Sequence, residues 1–194
     1  FCCILFCQMS FSQWDCSSAL TICGNTTFTG IIKTYPDETQ FNGHVSCGVY
    51  IHSPMIWLKV TIVKSGSFGF VLTPKSQNPQ ADLNFFVFGP NVTCGDIGQS
   101  IRCSYTAPAE IFSSKNATGL IPGAYGISRQ SNEGNGFLEM LDVKAGESYY
   151  IVVMDAESPY DQFSLDFNGT ATIDAPPEIK TPKIFGSYGA KICE

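Results

Sequence analysis

The residues of this chain best suited to chemistry are oxygen-bearing side chains and cysteines. Asp82 and Asn84 stand two residues apart in ADLNFFVFGP, and a strand there puts both side chains on one side. Asp155, Glu157 and Asp161 crowd a second acidic stretch, MDAESPYDQF. Carboxylate and amide oxygens presented from loops are the ligands that Ca²⁺ takes, so Asp82, Asn84, Asp155 and Asp161 form a candidate calcium set. Against it stands the plainer reading that Asp and Asn cap turns and keep the surface soluble. No full D-x-D-x-D-G ligand loop is present.

Catalytic constellations are missing from the sequence. There is no G-x-S-x-G elbow, no H-E-x-x-H, no P-loop and no G-x-G-x-x-G after a strand. The two histidines, His44 and His52, would have to meet an activated serine to make a hydrolytic triad. Asp82, Asp155, Asp161 and Asp166 offer carboxylate pairs of the kind a glycosidase needs, as does any acidic protein. The expectation is a chain without catalytic residues, and with no cofactor beyond calcium.

Nine cysteines carry the next signal. None lies in a C-x-x-C pair, so the usual structural zinc patterns are absent. Cys2, Cys3 and Cys7 fall in FCCILFCQMSFSQ, an apolar start that reads as the remnant of a signal peptide over residues 1–13. Export favours disulfides for the other six. Cys94 and Cys103 bracket GDIGQSIR and are the expected local pair. Cys16, Cys23 and Cys47 then make an odd set, one of them free or paired elsewhere, and Cys193 is expected to find its partner beyond Glu194.

The elements that would position these groups read as strands. Ile56, Leu58, Val60 and Ile62 alternate with Trp57, Lys59 and Thr61 as in a half-buried strand. A KSGS turn at Lys64 to Ser67 leads to Phe68, Phe70 and Leu72, which predicts a hairpin. Leu83 to Phe88, broken only by Asn84, and Tyr149 to Met154 are continuous apolar runs, as in strands buried on both faces. Gln162 to Asn168 alternates Phe163, Leu165 and Phe167, with Thr170 to Ile173 as a candidate extension. No helical stripe occurs.

The predicted core is Ile56, Leu58, Val60, Phe70, Leu83, Phe85, Val87, Ile151, Val153, Phe163, Leu165 and Phe167. Residues 106–136 show no period, and Glu110 to Phe112 and Ala124 to Ile127 are candidate edge strands. The fold class is therefore all-β, a two-sheet antiparallel sandwich of jelly-roll type with long loops, over residues 14–175. Residues 176–194, opening on two prolines, read as a linker and the start of a following domain.

Composition agrees. With 14% charged residues, a net charge of −6 and eleven Lys and Arg in no run, the chain offers no basic track for nucleic acid. No segment is long and apolar enough to span a membrane. Sequons occur at Asn25, Asn91, Asn116 and Asn168; they would suit glycans in a eukaryotic secreted protein and otherwise arise by chance in an Asn- and Thr-rich chain.

Several of these stretches together carry a resemblance: CSSALTICGN, the SC ahead of Trp57, DLNFFVFGP, the C-x₈-C followed by SYT, GESYYIVVMD and FSLDFNGT. Over roughly residues 14–173 they resemble a module of large cell-surface proteins, akin to gliding-motility adhesins, from bacteria that export through the type 9 secretion system. VKAGESYYIVV is similar to the pre-peptidase C-terminal jelly-roll domain of secreted proteases. The resemblance implies a module that follows a signal peptide and precedes immunoglobulin-like repeats and a sorting domain. It implies the type 9 machinery as a partner and the cell exterior as the location.

Two functions follow as expectations. One is a non-catalytic adhesion or structural module with an unidentified surface polysaccharide or protein ligand. The other is a carbohydrate-binding module on a polysaccharide-degrading enzyme, with Trp14, Tyr105, Tyr125 or Tyr160 stacking on sugar rings. Ligand contacts are expected on the loops after Phe88 and Met154 or within 106–136.

Overall fold

The alternating and continuous apolar runs become fifteen short or medium strands in a computed structural model, which describes residues 16–32, 45–47, 49–50, 54–75, 81–106, 117–131, 134–155 and 162–174. Two sheets face each other. The first contains β1 (Leu20–Thr21), β5 (Met55–Lys64), β7 (Leu83–Phe88), β8 (Arg102–Tyr105), β10 (Arg129–Ser131) and β13 (Ser148–Asp155). Its order is β1-β5-β13-β7-β8-β10, and β15 (Thr172–Ile173) also pairs with β5. The second contains β2 (Phe28–Ile31), β6 (Gly66–Pro74), β9 (Thr118–Ile121), β11 (Phe137–Glu139), β12 (Leu141–Val143) and β14 (Gln162–Gly169). It is ordered β11-β9-β6-β14-β2, with β12 pairing β6. A small hairpin joins β3 (Val45–Ser46) to β4 (Val49–Tyr50).

The sandwich is as expected, but its sheets are mixed rather than purely antiparallel. The central ladders β5–β13, β13–β7 and β6–β14 are antiparallel. The edge pairs β1–β5, β8–β10 and β9–β11 are parallel. Parallel neighbours need crossover connections, and here the chain makes them by passing between the sheets.

That habit also corrects two other readings. The KSGS turn closes no hairpin: β5 lies in the first sheet and β6 in the second, so the chain crosses the sandwich at Ser65. Ser65 Oγ accepts the Ala145 N–H there, at 2.9 Å. Alternation of apolar residues on both sides of a turn is identical for a hairpin and for an arch between sheets, so sequence cannot separate the two. Likewise Thr172–Ile173 does not extend β14. The chain turns at Gly169, whose φ of 101° suits glycine, and β15 joins β5 in the opposite sheet. A Cβ at Gly169 would press on the Ser67 carbonyl.

Eleven of the twelve predicted core residues are buried in one cluster between the sheets, and Phe167 packs against it half-buried. Phe28, Phe68, Leu120, Leu138 and Leu141 complete the layer from the second sheet. Phe70 meets Phe85 edge-on across the gap, with ring centroids 5.1 Å apart.

A second apolar cluster lies on the outer face of the first sheet. It holds Trp57, Phe86, Phe88, Tyr150, Val152, Met154 and Cys103, with Cys16, Cys47 and Ile97. Register explains the division, because paired residues share a face: Phe85 opposes Val153 and faces inward, whereas Phe86 opposes Val152 and Cys103 and faces outward. Trp57, read as the exposed phase of a half-buried strand, is buried here.

Candidate functional site

The outer cluster needs a cover, and a disulfide-stapled layer supplies it. Cys16 opens a single 3₁₀ turn at Cys16–Ser18, and Ala19 packs on the cluster before β1 joins the sheet edge. Cys47 sits at the turn of the β3–β4 hairpin with a φ of 59°. Cys16 is bonded to Cys94 and Cys47 to Cys103.

This overturns the expected Cys94–Cys103 bond. Cys103 lies within β8 opposite Phe86, while Cys94 lies in the turn beyond Phe88, with its Sγ 3.6 Å from the Tyr150 hydroxyl. The two sulfurs thus serve different rungs of the sheet, about 7 Å apart for residues two positions on. Each draws in a cysteine from the N-terminal segment. Of Cys16, Cys23 and Cys47 none is free: Cys16 and Cys47 each pair outside the set, and Cys23 is disulfide-bonded too. The available signal was the apolar runs in β7 and β13: strands buried on both faces demand a second cover, and Cys16 and Cys47, upstream of Trp57, belong to it.

The candidate calcium residues divide. Asp82 and Asn84 are buried at the start of β7, where the Asn84 amide donates to the Asp82 carbonyl at 3.4 Å. Asn84 opposes Met154 and shares its outward face, whereas Asp155 opposes Leu83 and shares the inward face. The register thus puts Asn84 and Asp155 in opposite phases where the two strands end. Asp161, Glu157, His44 and His52 lie outside the described residues. Among the described residues no three His, Cys, Asp or Glu side chains are grouped to hold a metal.

The loops expected to bind leave from opposite ends of the sandwich, because β7 and β13 run antiparallel. β13 ends at Asp155, opposite Leu83, at one end. At the other end the 89–101 loop, the 122–128 turn and the 144–147 turn come together, tied by hydrogen bonds. Asn91 donates its N–H to the Ser148 carbonyl at 2.9 Å, and its Oδ1 accepts the Ser148 N–H at 2.8 Å. Arg129 donates to the Ser100 carbonyl, and Arg102 to the carbonyls of Glu139 and Met140.

Glu147 clasps its own turn. Its Oε2 accepts the Lys144 N–H and the Tyr149 hydroxyl, both at 2.7 Å. The Lys144 N–H and then the Tyr149 hydroxyl hold the carboxyl below its ordinary range. Burial, and then the bond to Glu147, push the Tyr149 phenol up.

Within 106–136 the structure places β9 and β10, which sequence missed because each is too short to show a period. Ala124 to Ile127, expected as an edge strand, is a turn instead: Pro122-Gly123 and Gly126 bend the chain there, with φ of 90° and 77° at the two glycines. Glu110 to Phe112 fall outside the described residues. The turn carries Tyr125, 80% exposed, beside Ile127, 38% exposed. Of the other candidate stacking residues, Tyr105 is half-buried against the outer cluster, and Trp14 and Tyr160 lie outside the described residues. No helix among the described residues is long and apolar enough to cross a membrane. In comparison with known proteins, no family model matches the chain, and no curated protein does.

Proposed function

We propose that this chain is a non-catalytic adhesion or presenting module of a secreted bacterial cell-surface protein. The observation that carries the reading is where the aromatic side chains lie. Trp57, Phe88 and Tyr150 form a packed group with Trp57 stacked on Phe88 at 5.9 Å, but under the disulfide-stapled layer. Among the described residues Tyr125 is the one large aromatic that stands well exposed. A sugar-binding platform needs a row of solvent-facing rings, and an adhesive sandwich does not. Two mapped cystines agree with an oxidising exterior. Export through a type 9 machinery belongs to the same reading through the resemblance.

The surface offered to a partner is the hydrogen-bonded end bearing Tyr125 and Ile127. Small, polar loop residues around one exposed aromatic suit protein recognition without disturbing the core. Cells displaying the chain should attach to protein-coated surfaces, and Tyr125→Ala with Ile127→Ser should reduce attachment at unchanged display. Binding across a glycan array would favour the carbohydrate-binding alternative. Hydrolysis of a polysaccharide or peptide by the purified chain would overturn the role.

Calcium keeps a place in this proposal at Asp82 and Asn84. Asn84 Oδ1 is a buried oxygen without a hydrogen-bond partner, and Asp82, two residues before it, is buried as well. That is oxygen chemistry a hard cation accepts.

A further inference from the structure

We propose that the outer layer is a redox-latched apron: a dithiol reductant opens Cys16–Cys94 first and uncovers the Trp57–Phe88–Tyr150 group, while the sandwich beneath stays folded. Three observations carry it, none of which depends on the adhesive reading. The first is that the two clusters have no member in common and lie on opposite faces of one sheet. Among the described residues the inner cluster contains no cysteine, so its packing does not run through either mapped cystine.

The second is that both mapped cystines join the apron to the sheet or its loop. Cys16 comes from the turn ahead of β1 and Cys47 from the β3–β4 hairpin, two short pieces of the cover separated by β2 in the opposite sheet, and Cys94 and Cys103 come from beyond β7. Cross-links between a thin cover and a rigid sheet are what hold the cover down, since so short a segment buries little apolar surface of its own.

The third is an asymmetry of access. Cys94 stands exposed in the 89–101 loop, whereas Cys103 is fully buried and Cys47 nearly so. Thiol–disulfide exchange begins with a thiolate reaching a sulfur, so Cys94 is the point of entry. The reductant thiolate attacks Sγ of Cys94, forms a mixed disulfide and expels the Cys16 thiolate, which takes up a proton. The second thiol of the reductant then attacks its own mixed-disulfide sulfur, releasing Cys94 as a thiol and leaving the reductant as a cyclic disulfide. Cys47–Cys103 is reached only after the apron has lifted.

The test is graded dithiothreitol on the full chain with Trp14→Phe, which leaves Trp57 as the sole tryptophan. Thiols are trapped by alkylation and assigned by mass spectrometry, with Trp57 emission and far-ultraviolet dichroism read in parallel. The expected result is alkylation of Cys16 and Cys94 at lower reductant than Cys47 and Cys103. Trp57 emission should shift to the red in the first step, with the β-sheet dichroism retained. Cys16→Ala with Cys94→Ala should show the same red shift without reductant. Simultaneous alkylation of both cystines with loss of the β signal would overturn the proposal, as would stepwise alkylation that leaves Trp57 emission unmoved.

Discussion

Phe85→Ala tests the inner layer where it is most closely packed. Phe85 is fully buried, opposes Val153 on β13 and Ser104 on β8, and meets the Phe70 ring edge-on from the other sheet. Removing the ring forfeits its transfer from water, about 2–3 kcal/mol. It also forfeits the edge-on aromatic pair, about 0.5–1.5 kcal/mol, and leaves a cavity between two sheets whose ladders restrain collapse. The sum, about 4 kcal/mol, falls within the range for buried Phe→Ala changes. With a urea slope of about 2 kcal/mol/M, the unfolding midpoint should fall by about 2 M at an unchanged slope. Urea titration followed by dichroism under non-reducing conditions reads this directly. A shift below about 0.5 M would mean that Phe85 does not face the second sheet, and the register of β7 would have to be redrawn.

The other predictions rest on separate features. Replacing Cys47 and Cys103 together by Ala should cost about 4 kcal/mol in chain-entropy terms, the bond spanning a sequence separation of 56, and urea titration against wild type checks it. Glu147 has a folded-state pKa below its ordinary value of 4.5, so its contribution is present above that pH and fades as pH falls through the folded value. Glu147→Gln should therefore lower the melting temperature at neutral pH, with the gap to wild type narrowing below about pH 4.5; a gap independent of pH would remove the charge from the argument. If calcium sits at Asp82 and Asn84, EDTA should lower the wild-type melting temperature and leave Asp82→Asn with Asn84→Ala unchanged, because a ligand held only by the folded state stabilises it.

Much of the fold was legible because apolar phase survives folding. The alternation around Ile56 and Phe163 and the run at Leu83 gave the central strands and somewhat under half of the inner core, whose remainder includes Phe28, Phe68, Leu120, Leu138 and Leu141. What sequence could not supply was partnership. Lys64 to Ser67 links two apolar strands whether they pair or part, and the structure parts them. Thr118–Ile121 and Arg129–Ser131 are too short for a period and take their conformation from the strands they join. Cys94 and Cys103 are close along the chain, but their sulfurs serve different rungs of one sheet face. Of the candidate calcium residues, Asp82 and Asn84 meet through the Asn84 amide and the Asp82 backbone carbonyl. Asp155 lies across the pleat from them, and that depends on a ladder register that no local pattern encodes. Tyr125 was among the sequence candidates; its exposure comes from the glycine turn that presents it.

One sheet carries an apolar core on each face, and Cys16–Cys94 and Cys47–Cys103 close the outer one. Proteolysis of the non-reduced chain with thiols blocked, followed by mass mapping of cross-linked peptides, tests it most directly. A peptide holding Cys16 should be found joined to one holding Cys94, and a peptide holding Cys47 to one holding Cys103. A peptide pair linking Cys94 to Cys103 would contradict it.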